Sequence, residues 1–289
     1  MIGVILALLS AAISGLSVVL VRKHSEASNA FNMSLVITCV GMIVLWSLAL
    51  VTPGWGTLNL DGVALFAVSG VLSPGLVRLF YYKGMKKLGL SGNAAIFAVY
   101  PLYSALLAVL LLSEVLSLGN WFGILCIIIG VVFIDLTIHS SNNTEGSSGR
   151  KSLIFPILGG VTLGVSSIIR KYALDICNTP ILGVAIAYAF SILPYFLILA
   201  FSAPTRKELS LKRDLRWFWV AGIGQAVTWI LAFYALSFEL VSITIPLLSI
   251  EPLFVVIFAY IYLKKLEHVS PKLLASIAVT VLGIVLVTI

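Results

Sequence analysis

The sequence predicts an all-α membrane protein of ten transmembrane helices arranged as two inverted five-helix repeats. Three observations carry this expectation: a composition too apolar to cover a surface facing water, ten long apolar stretches with short connections, and matched residues in the two halves of the chain. Of 289 residues, 61% are hydrophobic and 10% charged, with a mean hydropathy of +1.15. A soluble domain carries about 25% charged residues, because its surface must be solvated by water. Much of this chain's surface therefore faces hydrocarbon.

The apolar stretches run over 2–21, 32–51, 62–82, 91–112, 119–138, 153–172, 180–201, 215–236, 241–263 and 271–289. About 20 apolar residues cross the roughly 30 Å hydrocarbon core. Inside it every backbone polar group must be satisfied locally, so long continuous runs fold as helices. A barrel strand would instead alternate over about ten residues. Residues 2–21 lack a positive leader and run straight into Arg22 and Lys23, which predicts a retained first helix rather than a cleaved signal. The Ser/Asn/Gly-rich stretch 140–152 has linker composition and falls at mid-chain. It separates a first repeat, 1–139, from a second, 153–289.

The two sides share ordered landmarks. Tyr82 precedes Pro101 by 19 residues, as Phe233 precedes Pro252. Each segment then leads to a Glu-x-x-Ser turn, at Glu114 and Glu267, and a glycine follows each glutamate by 16 residues, at Gly130 and Gly283. Arg22-Lys23 and Arg170-Lys171 close the first helix of each half in this reading. Five helices is an odd number, so the second half is upside down relative to the first. Inverted repeats of this kind mark transporters, with substrate handled near the midplane between the halves.

The net charge is +7. The basic residues lie between apolar runs rather than on one soluble face, which argues for cytoplasmic loops and against nucleic acid. The odd-numbered connections hold 15 of the 18 Lys and Arg residues, the even-numbered ones only Arg170 and Lys171, and Arg78 lies inside a span. The positive-inside rule then places both termini outside the cytoplasm, on the inner membrane of the cell.

With the halves laid out, the chain resembles the drug/metabolite transporter superfamily, specifically its ten-helix EamA-type members. The resemblance rests on alanine- and glycine-rich fourth and ninth helices with central Pro101 and Pro252, on Glu251-Pro252, on Leu-Leu-Ser-Glu114-Val-Leu-Ser, and on Gly123 and Gly130. The second half departs from the pattern at Lys264-Lys265-Leu-Glu267, where the turn is lengthened. Family members are often drawn with cytoplasmic termini, opposite to the charge count; the superfamily contains both orientations, and the charge count takes precedence. The resemblance implies export or exchange of small metabolites, amino acids or amphipathic compounds.

Charged and aromatic residues inside the spans are the candidate site. Arg78 either faces the interior, as intramembrane charges usually do, or snorkels towards the face marked by Lys83. Glu251 lies about 18 Å deep at 1.5 Å per residue. It is placed to bind a cationic group, to carry a coupling proton, to pair with Arg78, or to fix packing around Pro252. Pro101 and Pro252 each remove a helical hydrogen bond and are candidate hinges. Tyr82, Tyr100, Trp229 and Tyr234 offer rings for a cavity wall or an interfacial belt. In the repeat, Arg78 corresponds to Trp229 and Tyr100 to Glu251. Glu114, at a turn, caps or bonds a neighbouring helix.

The sequence has no His-Glu-x-x-His and no paired intramembrane aspartates, so an enzyme is disfavoured. Cys39, Cys126 and Cys177 lack zinc-ligand spacing, and no cofactor or metal is expected. The expected partners are a small-molecule substrate, the lipid bilayer and a coupling proton. Two halves in one chain make a monomer the default.

Overall fold

The computed structural model describes residues 1–22, 29–53, 59–81, 83–84, 96–139, 153–207, 209–263 and 271–289. Among them every regular element is a helix. We number these α1 (Ile2–Arg22), α2 (Ala30–Val51), α3 (Leu60–Gly70), α4 (Tyr100–Leu112), α5 (Leu118–His139), α6 (Ile154–Ile176), α7 (Pro180–Ser191), α8 (Leu193–Phe201), α9 (Ala203–Lys207), α10 (Leu211–Phe238), α11 (Val241–Leu248), α12 (Glu251–Leu263) and α13 (Pro271–Thr288). α3 continues as a π-helical segment, Val71–Leu76, and is helical again to Tyr81.

Among the described residues six helical stretches are long and apolar enough to cross a membrane, including Leu60–Tyr81 and Pro180–Phe201, and the shorter apolar helices include Tyr100–Leu112 and Val241–Val255. Together they fall on the ten expected stretches. Their outward faces are greasy: Leu110, Phe122, Phe133 and Phe196 are all more than half exposed. In water such a surface would aggregate; against lipid chains it is solvated.

Prolines punctuate the bundle where the sequence expects them. A turn at Ala98–Val99 precedes Pro101 in the first turn of α4, and a turn at Ser249–Ile250 divides α11 from α12 just before Pro252. A proline is tolerated at the start of a helix, where its missing N–H would be unpaired anyway. Three further interruptions go beyond that expectation: Ser73, whose backbone is extended (φ −143°, ψ 122°) inside the π segment before Pro74, the break between α7 and α8 ahead of Pro194, and Pro246 within α11.

The helices pack in matched pairs. α1 lies on α10, and α6 on α3; α2 lies on α10, and α7 on α3; α1 touches α12, and α6 touches α4. α5 lies along α13 in the most extensive contact of the molecule. Because lipid removes most of the hydrophobic drive for helix association, such seams rely on small residues that let backbones approach closely. A Cβ added to Gly283 would sit 2.7 Å from the Gly123 carbonyl, and one added to Gly130 would sit 2.9 Å from the Ser276 carbonyl. The landmark spacing relates Gly130 to Gly283 and Gly123 to Ser276, so these two contacts are counterparts. Gly15 meets Phe254 and Val255 in the same way that Gly164 meets Tyr103 and Ser104.

One sequence expectation is corrected. Arg170 and Lys171 do not lie in a connection: α6 runs on to Ile176, and Arg170 is buried within it. The helix outlasts its apolar run because Lys171 donates to the Leu236 carbonyl and pairs with Asp175 one turn later. Removing Arg170 from the extramembrane count sharpens the charge asymmetry.

Candidate functional site

Two polar clusters occupy the interior. The acidic one is built from α1, α4, α10 and α12. Ser10, Ser14 and Ser17 recur at helical spacing along one face of α1 and are all buried. Ser10 donates to the Thr228 carbonyl, and Gly224 leaves room for Ser17. Ser14 donates to the Glu251 carboxylate through a short hydrogen bond and accepts one from Gln225 Nε2 at 3.3 Å. The Tyr100 phenol lies within electrostatic reach of Glu251 and hydrogen-bonds with Ser249. Tyr100 and Glu251, matched by the repeat spacing, thus lie within electrostatic reach of each other. Among the described residues Glu251 bonds with Ser14 and forms no ion pair with Arg78. One serine hydroxyl leaves most of a carboxylate's acceptor capacity unused.

The cationic cluster is built from α2, α6, α7, α10 and the interrupted α3. Arg78 turns inward rather than towards the interface: its Nη1 donates to Thr38 Oγ1 at 2.5 Å, and its guanidinium faces the Tyr188 phenol. Arg170 approaches the same phenol from α6. It is 2% exposed, with Nη2 donating to the Ser73 carbonyl at 3.3 Å and to Ser166 Oγ at 3.2 Å. Its guanidinium carbon lies 4.6 Å from the Trp229 ring centre and 4.9 Å from that of Phe233. Tyr188 and Phe66 extend this aromatic wall, at 6.0 Å from Trp229 and 6.1 Å from Phe233 respectively.

The Ser73 carbonyl is available because the chain is extended at that residue. The local break in α3 therefore supplies an acceptor for Arg170. Each cation–π contact offsets about 0.5–2 kcal/mol, against a penalty of several kcal/mol for burying an unpaired ion. Among the described residues no carboxylate pairs with Arg170, and its Nε finds no acceptor.

The remaining expected residues separate. Trp229 stands against Arg170 rather than Arg78. Tyr234 is half-buried on α10 and, among the described residues, joins neither cluster by a ring contact or side-chain hydrogen bond. Tyr82 lies outside the described residues. Tyr100 continues an aromatic run with Phe97 and Tyr81, at 5.4 Å and then 5.2 Å between ring centres. Glu114 caps a helix: Ser113 adopts a left-handed conformation (φ 54°, ψ 32°) that ends α4, and the Glu114 carboxylate accepts from Val241 N at 2.8 Å, Ser242 N at 3.0 Å and the Ser242 hydroxyl. Sequence reasoning misses Arg170, whose resemblance to the helix-ending Arg22-Lys23 pair hides it. Asp175, four residues beyond Lys171, is the signal that the helix continues.

Among known proteins, the chain is 24% identical over 153 residues to a protein named as an uncharacterized transporter of Clostridium kluyveri, a match covering 52% of this chain and 48% of the relative. The chain thus aligns with about half the length of that relative. A solved structure, titled only as the crystal structure of a protein, superposes with a TM-score of 0.77 over 99% of this chain and 95% of its own, at 14% identity. That likeness establishes the fold alone. The EamA-like transporter family matches residues 1–135 and again 150–289, so the chain, a multi-pass membrane protein, belongs to that family of transporters.

Proposed function

We propose that the protein is a secondary active transporter or exchanger that moves small metabolites, amino acids or amphipathic compounds, out across the cell membrane by alternating access. Two inverted repeats, 1–139 and 153–289 joined by the linker 140–152, would exchange conformations about a shared interior. The paired helix contacts, the counterpart glycine seams and the two family matches support this reading. The observation that carries it is the Glu251 cluster: a carboxylate within a membrane span, half-buried, with one hydroxyl donor and a facing phenol from the other half. An intramembrane carboxylate is costly, and its usual role is to bind substrate or a coupling ion.

In this scheme Glu251 receives a cationic group or the coupling proton. Arg78, Tyr100 and Trp229 complete the substrate path, and the breaks ahead of Pro101 and Pro252 act as hinges. The protein works as a monomer in the inner membrane with both termini outside the cytoplasm, and its activity needs no cofactor.

The test is counterflow in proteoliposomes against a panel of amino acids and metabolites, comparing wild type with Glu251→Gln and Arg78→Ala. Substrate-specific flux that is lost in folded Glu251→Gln is the expected result. Flux that survives both substitutions would remove this site, and no flux from folded protein with any compound would remove transport.

A further inference from the structure

We infer that Arg170, together with Arg78, seats a carboxylate of the transported compound at the break in α3, an inference that rests on the transport reading above. Arg170 is a fully buried cation held by a backbone carbonyl, a serine and two ring faces, all of them neutral. Among the described residues its bonds to Ser73 and Ser166 use Nη2 alone, and the buried Nε–H has no acceptor. A guanidinium has five donors in a rigid fork that matches a carboxylate edge-on. The second guanidinium, Arg78 on α3, acts electrostatically on the same Tyr188 phenol as Arg170 does. An anion beside that phenol is attracted by both charges.

The location fits a transported ligand rather than a structural ion. Arg78 and Ser73 belong to the first half of the chain, whereas Arg170, Tyr188, Trp229 and Phe233 belong to the second. An anion here bridges the halves. The rings beside the arginines give an apolar wall for the body of the compound, and the Ser73 carbonyl releases Arg170 when a better acceptor arrives. A charge-assisted, two-pronged bond is stronger than the neutral contact it replaces.

The test uses the full chain in detergent and three probes with one body and different heads: 3-phenylpropionate, 3-phenylpropylamine and 3-phenylpropanol. Thermal unfolding and tryptophan-fluorescence titration report binding, since ligand that favours the folded state raises its midpoint. The expected result is saturable stabilisation by 3-phenylpropionate alone, weakened at least tenfold in Arg170→Gln and partly restored in Arg170→Lys. No stabilisation by 3-phenylpropionate, equal effects of the three probes, or unchanged affinity in folded Arg170→Gln would each overturn the inference. Should Arg170→Gln not fold, Arg170→Lys decides: it keeps the charge and loses the fork, so unchanged affinity overturns the inference and weakened affinity upholds it.

Counterflow separates the two readings. Carboxylate binding without flux of any compound removes transport and leaves the site, whereas flux of amines or neutral compounds that 3-phenylpropionate does not inhibit removes the site and leaves transport.

Discussion

Glu114 and Glu251 carry the same functional group under opposite conditions. Glu114 meets two backbone N–H groups and a hydroxyl at the start of α11, the arrangement of a helix cap, and nearly all of its hydrogen-bonding capacity is spent on the fold. Glu251 sits at the start of α12 on the same broken span with a single serine donor. The contrast extends to the surroundings. The α5–α13 seam is closed by glycine against backbone, while Glu251 lies beside the buried Ser14 of α1 and near the half-buried Tyr100 of α4 and Gln225 of α10. A carboxylate whose partners are all supplied by the chain serves stability; one left with spare capacity inside a membrane has room to take a ligand or a proton.

Substitutions at the two kinds of site should therefore separate folding from flux. The largest effect on folding is expected at the seam: Gly283→Leu forces backbone apart and should cost about 3 kcal/mol, read as loss of the monodisperse peak in detergent chromatography. Glu114→Ala should follow, costing roughly 2–3 kcal/mol by leaving two N–H groups unpaired, with a lower unfolding midpoint but unchanged flux per folded molecule. Trp229→Leu, which removes one of two ring faces from Arg170, should cost about 1 kcal/mol in the same measurement. Ser14→Ala should change the midpoint least, by roughly 0.5–1 kcal/mol, yet reduce flux measurably because it frees Glu251 from its one donor. A Ser14→Ala protein that unfolds as readily as Glu114→Ala would break the distinction.

Much of this arrangement is legible in the amino-acid sequence. Apolar length and short connections locate the helices, and Pro101 and Pro252 anticipate two of the breaks, whereas Gly130 and Gly283 read only as repeat landmarks and their place in the seam does not follow from spacing. Glu114 reads as a turn residue that bonds a neighbouring helix, and it does so. Tyr100 and Glu251, which hold equivalent positions in the landmark spacing, lie within electrostatic reach of each other.

What escapes the sequence depends on side-chain direction and on small polar residues. Arg78 stands three residues from the end of its span, where an arginine can reach either the interface or the core; only the presence of Thr38 and Tyr188 on neighbouring helices decides between them. Nothing in the sequence singles out Ser73, and its extended backbone becomes meaningful only once Arg170 is seen bonded to its carbonyl. Tyr234 shows the converse: aromatic character at a plausible depth does not determine which way a ring points.

The most direct measurement is a paired one, flux and unfolding midpoint for Glu251→Gln beside Glu114→Gln in the same vesicles and detergent. A ligand- or proton-binding Glu251 predicts that Glu251→Gln keeps its midpoint within about 1 kcal/mol of wild type and loses at least tenfold in flux, while Glu114→Gln shows the reverse order of effects. Full flux in folded Glu251→Gln would contradict that role.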